Sequence, residues 1–415
     1  MWVFNKSFEN IVESDIRGLL SRGITENQNL EYKLEFGQSD DDKKEMSRDI
    51  SSIANAYGGY LIVGIKADRE TGAPLEITGV ENAENERDRI MSSCLSNIEP
   101  RIPGLKIRTV PIQNSHYVIL ILIPRSTRAP HLVRFGGGRI EFWKRHDRQK
   151  NPMSTEEIRE AFLRTENIRK DIDEFIKWRK KEVLEEIGNN PTYLIGAAPI
   201  MVKEDLIDIS DNNIRGIIRH PPSQILYGWN LDFVGTNIYP KPTLYGLKIE
   251  EDLYGGRVIE LFRNGYLELR VNMTTNNKFI KEIITDEKNV VRNVLNAIPV
   301  VEYAVSFYRL LKALVEYLGL NEPFVGFLSL NNIDGFRLER QAVRGVLYDI
   351  TYRHSFDVIN SPRWLKTHLE LPPMQILSCE NPDRVAKDFL DRVWNAFGYE
   401  GAPSFTHDGR FQAAP

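Results

Sequence analysis

Residues 41 to 68, DDKKEMSRDISSIANAYGGYLIVGIKAD, constrain the chain more than any other stretch. Met46, Ile50, Ile53, Ala54 and Tyr57 recur at helical spacing, which predicts an amphipathic helix. Gly58 and Gly59 stop it where the backbone must turn left-handed, and the run after them reads as a buried strand. Two glycines between a helix and a buried strand let the helix end close against a sheet. The pattern therefore predicts an α/β (α+β) domain, a mixed sheet with flanking helices.

A second strand precedes this helix. Leu30, Tyr32, Leu34 and Phe36 alternate with Asn29, Glu31, Lys33 and Glu35, and Glu26 lies just upstream. One face is apolar and belongs on a core. The other aligns two acids with a lysine. That face is read either as solvated surface, the usual place for charged residues on a half-buried strand, or as part of a carboxylate metal site. Further strands fit residues 105–111, 117–124 and 139–144, with the three glycines at 136–138 marking a hairpin turn.

Ser154 and Glu157 form a capping-box signature, from which helical periodicity runs to Gly188 as one long helix or two. After GNNP at 188–191 the pattern changes to short strands with Pro-rich connections, including residues 219–224. The expected division is an N-terminal domain over 1–165, a helical linker over 166–190 and a C-terminal α+β domain of unknown type over 191–415. In the last, Asn264-Gly265 between two alternating runs predicts a hairpin over 256–272. Helical patterns occupy 291–318, with Pro299 as a possible break, and 381–397; the last dozen residues read as loose.

Several chemistries are absent from the sequence. No GxxxxGK[ST], HExxH or GxSxG occurs, and the seven histidines form no close zinc-type pair; His131, after Pro130, reads as a turn residue. Cys94 and Cys379 are the sole cysteines, too few for a disulfide framework and suited to a reducing compartment. The longest apolar run, residues 117–124, is far short of a membrane span, and the N-terminus lacks a basic leader, so a cytoplasmic location is expected, with no membrane partner. Charge is uneven: residues 101–150 hold eleven Lys and Arg against Glu141 and Asp147, a balance of +9 in a chain of −4, so the remainder carries −13. Such a band suits phosphates, although solvated strand ends would look the same.

ENQNLEYK, IANAYGGYLIVGI, IPRSTRAPH and EFWKRHDRQKNPMSTEEIREAF, in that order over roughly residues 10–165, resemble the Schlafen AlbA-like domain. The resemblance implies a ribonuclease acting on tRNA or other structured RNA, with an acidic triad holding Mg²⁺ or Mn²⁺. Glu26 and Glu31 match the first two family acids. The third stands two or three residues after the glycine of GGYLIVG, where this chain has Lys66 and Ala67, and Asp68 comes one later. A bulge could re-aim Asp68 into the site; otherwise it is a turn residue. Lys33 would neutralise charge developing on the phosphate, or simply pair with Glu31 and Glu35. Lys144, Arg145 and Arg148, interleaved with Phe142 and Trp143, would grip the RNA backbone. Asn55, Gly58 and Gly59 read as structural. The implied whole is a metal-dependent endoribonuclease, an effector of phage defence controlled by a trigger molecule at the C-terminal domain. The alternative is a non-catalytic nucleic-acid-binding protein or transcriptional regulator. Because the motif elements occur once and related nuclease cores use two lobes, a homodimer is expected.

Overall fold

Residues 117–123 form one of the two inner strands of the first sheet in a computed structural model of the chain. The structure describes residues 3–4, 8–112, 116–126, 128–200, 202–203, 205–222, 231–233, 238–251, 256–275, 279–284, 290–318, 320, 323–339, 362–377 and 379–412. Parts of two sequence expectations, the connection at 223–224 and the terminal residues 413–415, lie outside them. Two units are distinguished: Met1–Asp171 with Glu316–Pro323, and Ile172–Val315 with Phe324–Pro415.

The first unit runs α1 (Glu13–Ser21), β1 (Leu30–Lys33), α2 (Asp40–Asn55), β2 (Gly59–Val63), β3 (Ile65–Ala67), β4 (Pro74–Ile77) and α3 (Ala83–Asn97). It continues through β5 (Ile98–Glu99), β6 (Lys106–Pro111), β7 (Tyr117–Ile123), β8 (Leu132–Arg134), β9 (Ile140–His146) and β10 (Gln149–Pro152) into α4 (Thr155–Ile187). One sheet has the order β1-β2-β7-β6, with β1 and β2 parallel; a second, antiparallel, has the order β10-β9-β8-β5. β3 and β4 form a separate hairpin.

Strand alternation divides the first sheet between two cores. Tyr60, Ile62, Val118, Leu120 and Leu122 pack with Ile16 and Leu19 of α1, while Leu61, Val63, Ile119, Ile121 and Ile123 pack with Met46, Ile50 and Ile53 of α2 and Ile90 of α3. β7 is thus apolar throughout because both of its faces are covered. On β1, Leu30 and Tyr32 face α1, which turns Glu31 and Lys33 toward the α2 side. The strand ends at Lys33, earlier than the alternation through Phe36 suggests: Leu34 is exposed, and Phe36 joins the α2 core rather than the α1 core.

Gly59 adopts φ +148°, and a Cβ there would lie 2.1 Å from the Asn29 carbonyl oxygen, so the helix-to-strand turn beside β1 requires glycine. The capping box is present: Ser154 Oγ accepts from Glu157 N, and Glu157 Oε2 accepts from Ser154 N. α4 is a single helix, and the two units divide within it.

In the second unit, β11 (Thr192–Pro199) is followed by α5 (Asn212–Arg219), β12 (Lys241–Pro242), β13 (Gly246–Glu251), β14 (Arg257–Phe262), β15 (Leu267–Asn272), β16 (Ile280–Ile284) and β17 (Val290–Leu295). Then come α6 (Ala297–Leu318), β18 (Phe324–Asn331), β19 (Arg337–Leu338), β20 (His368–Glu370), β21 (Met374–Ile376) and α7 (Pro382–Ala396). An antiparallel sheet runs β12-β13-β14-β15-β11-β18-β20, with β21 also on β18, and β16, β17 and β19 make a smaller one. The Asn264-Gly265 hairpin joins β14 and β15 as expected. The helical reading of 291–318 is corrected at its start: residues 290–295 are strand, and Pro299 sits in the first turn of α6, where proline lacks no needed N–H.

Candidate functional site

The inner face of β1 is neither solvated nor open. Glu31 is 7% exposed and Asp49, on α2, 1%. Lys33 Nζ lies 2.9 Å from Glu31 Oε1 and 3.1 Å from Asp49 Oδ2. Arg145 reaches in from β9, its Nη1 donating to Glu31 Oε2 at 2.5 Å. Lys150, paired in register with Arg145 across the β9–β10 hairpin, donates to Asp49 Oδ1 and to Glu45 Oε1. Beside them Arg48 donates to Glu141 and stacks over Phe135 and Trp143. Acids from β1 and α2 therefore meet cations from β1 and the hairpin in one buried layer.

Electrostatics follow from that burial. Asp49 is pushed above its ordinary range, first by desolvation and then by the Glu31 charge, which Lys33 and Lys150 counter. Burial works to lower Lys33, but Asp49 and Glu31 outweigh it and hold the ammonium above its usual value.

The three expected metal ligands do not converge. Glu26 is half-buried, with Oε1 accepting from Tyr32 N at 2.9 Å. Asp68 Oδ1 accepts from Glu70 N, Thr71 N and Thr71 Oγ1, a turn role; the Thr71 amide and hydroxyl hold its carboxyl below the ordinary value. Asp68 follows β3 and heads a turn that returns through Gly72 to the Glu26 amide. Among the described residues no three His, Cys, Asp or Glu side chains form a group able to hold a metal ion. Mg²⁺ and Mn²⁺ require several free oxygens in near-octahedral array. With Glu31 committed to Lys33 and Arg145, and Asp68 to its turn, the residues present do not fit such an ion.

The expected RNA-binding trio is also separated. Arg145 is 3% exposed and donates to Glu31 and to the Asn27 and Asp147 carbonyls, so its assignment to the RNA backbone is corrected: it is an internal cation. Lys144, with the opposite parity on β9, is half-buried and 3.4 Å from Glu157 Oε1. Arg148 donates to the Glu70 carbonyl at 2.6 Å and packs with Glu26 around Gly72.

Asn55 holds the family-like motifs together. Its Nδ2 donates to the carbonyls of His131 and Trp143, both at 2.8 Å, and its Oδ1 accepts from His131 N. His131 is fully buried, its Nδ1 2.6 Å from the Pro100 carbonyl, and burial lowers its pKa to about 4. The turn-histidine reading missed this role. Asp49 and Lys150 were missed as well, although a charged Asp49 beside Met46, Ile50 and Ile53 on an apolar helix face was a signal.

Residues 26–154 match the profile of the family described as Schlafen, AlbA_2. Among solved structures, the chain resembles the N-terminal domain of a putative ATP-dependent DNA helicase RecG-related protein from Nitrosomonas europaea. Identity is 16%, over 31% of this chain and 83% of that one, at a TM-score of 0.25. It also resembles the DIP2311 protein from Corynebacterium diphtheriae, at 18% identity over 33% of this chain and 25% of that one, with a TM-score of 0.23. At these scores neither likeness bears on function. No curated protein matches. Among the described residues no helix is long and apolar enough to cross a membrane.

Proposed function

Because residues 26–154 form a Schlafen AlbA_2 domain, a family tied to nucleic acid, we propose that the N-terminal unit binds RNA and does so without a resident divalent metal. The observation that carries this reading is the pairing of Glu31 on β1, and of Asp49 facing it from α2, with cations of the protein itself. Lys33, Arg145 and Lys150 supply internally the positive charge that a metal would bring, while Arg101 and Arg128 of the basic band remain exposed, with no carboxylate partner among the described residues. Phosphate contacts from such a band position RNA and make its affinity fall with salt.

The second reading, a metal-dependent endoribonuclease, is favoured by Glu26 and Glu31 standing five positions apart at β1. It requires Glu31 to leave its two cationic partners. A phage-defence effector under the control of the second unit belongs to that reading. Incubation of the full chain with total tRNA, with and without Mn²⁺, separates the two. Retarded but intact RNA in both conditions supports binding alone. Cleavage that needs Mn²⁺ and disappears in Glu31→Gln overturns it in favour of the nuclease.

A further inference from the structure

The loop after β7 meets the C-terminal end of α2 and the first half of α4, and three of the cations there lie outside the charged layer. Gly58, at φ +70°, packs so tightly on the loop that a Cβ would lie 2.5 Å from Arg125 N. This contact sets Arg125 beside Tyr57, with the guanidinium 5.8 Å from the ring centroid. From α4, Arg164 donates Nη2 to the Asn55 carbonyl at 3.0 Å, at the negative end of α2. Thr165, next along α4, donates to the Ala129 carbonyl and so fixes the loop to the same helix. Arg128 extends from the loop into solvent.

Two properties of this cluster point to a ligand. The first is like charge: burial and the neighbouring Arg125 together depress Arg164, and among the described residues no carboxylate pairs with Arg164 or Arg128. Arg164 and Arg128, two cations at one site without a carboxylate partner, favour an anion. The second is the exposed aromatic: Tyr57 is 51% exposed although it continues the apolar face of α2. Arg125 over the ring leaves the rest of the tyrosine to solvent. An exposed ring flanked by arginines offers a stacking surface for a base and fixed charge for the adjoining phosphate.

We propose that Tyr57, Arg125 and Arg164, with Arg128 at the rim, form a binding site for single-stranded RNA, a base stacking on Tyr57 and its phosphate meeting the arginines. The proposal rests on the RNA-binding reading above and locates it on the N-terminal unit. Duplex RNA, whose bases are stacked within the helix, cannot use the tyrosine.

The test is fluorescence anisotropy of the full chain with a short labelled oligouridine and with a duplex of equal length. Wild type should prefer the single strand. Tyr57→Ala should weaken that binding by about tenfold or more, whereas Tyr57→Phe, which keeps the ring, should not. Arg128→Ala, at an exposed position, should reduce the slope of log affinity against log salt by about 0.7. Full-strength binding by Tyr57→Ala, or wild-type preference for the duplex, overturns this site and leaves the RNA-binding reading standing. Failure of wild type to bind either RNA overturns both.

Discussion

Replacing Arg145 by methionine should destabilise the N-terminal unit far more than removal of a surface cation could. The arginine side chain is 2% exposed and that of Glu31 9%, and the pair is supplemented by bonds from Arg145 to the Asn27 and Asp147 carbonyls. Breaking a buried pair strands the remaining charge and costs about 3–5 kcal/mol, whereas an exposed pair contributes about 1 kcal/mol or less. Hydrogen exchange of peptides from β1 and β2 reads the difference locally. At about 1.4 kcal/mol per tenfold, amides that open with the layer should exchange roughly two to three and a half orders of magnitude faster in Arg145→Met. Adding Glu31→Gln should recover part of that loss, because the amide leaves no uncompensated charge, so the two substitutions should be less than additive. A loss below about 1 kcal/mol, together with weakened RNA binding, would show that Arg145 faces the ligand and refute the internal-cation assignment.

His131 should make the unit acid-sensitive: its pKa falls from 6.5 unfolded to about 4 folded, so the stability it contributes is complete above pH 6.5 and is lost as pH drops from there toward 4. Urea unfolding at pH 7 and 4.5 should show wild type losing about 2 kcal/mol more than His131→Gln over that interval, and equal losses would contradict this. In the second unit, Glu260 and Glu268 lie opposite each other across β14–β15, and Arg179 donates to both; Arg179→Met should lower that unit's stability by about 3–5 kcal/mol, checked by its own unfolding transition. The proposed homodimer should give a light-scattering mass near twice 47.9 kDa, and a mass that stays at 47.9 kDa with and without RNA removes it.

Much of the fold was legible where its signals are local. The α2 periodicity, the Gly58-Gly59 stop, the Ser154–Glu157 box and the Asn264-Gly265 turn each need only a few neighbouring residues. The β1 face was read correctly as two-sided, but its charged side could not be assigned, since what covers it comes from residues 145–150, more than 100 positions later. Parity on β9 held a usable clue: Glu141 and Trp143 meet Arg48 of α2, and Arg145, of the same parity, meets Glu31 of β1, so Arg145 and Lys144 could not both face RNA. The strand at 290–295 was hidden because Val291, Val294, Leu295 and Ile298 fall at helical spacing that continues into α6.

The distance in sequence between the two halves of the charged layer has a consequence for synthesis. The ribosome delivers β1 and α2 first, then the rest of the first sheet by Ile123, and only afterwards Arg145 and Lys150. Until the β9–β10 hairpin emerges, Glu31 and Asp49 have Lys33 alone to share between them. A nascent chain arrested before Arg145 therefore carries two carboxylates that outnumber their one cation on the α2 side of the sheet, and has reason to stay open until the hairpin closes over it. The hairpin thus completes the charged layer from far along the chain, and a product that ends before Arg145 should lack the cations that let Glu31 and Asp49 pack.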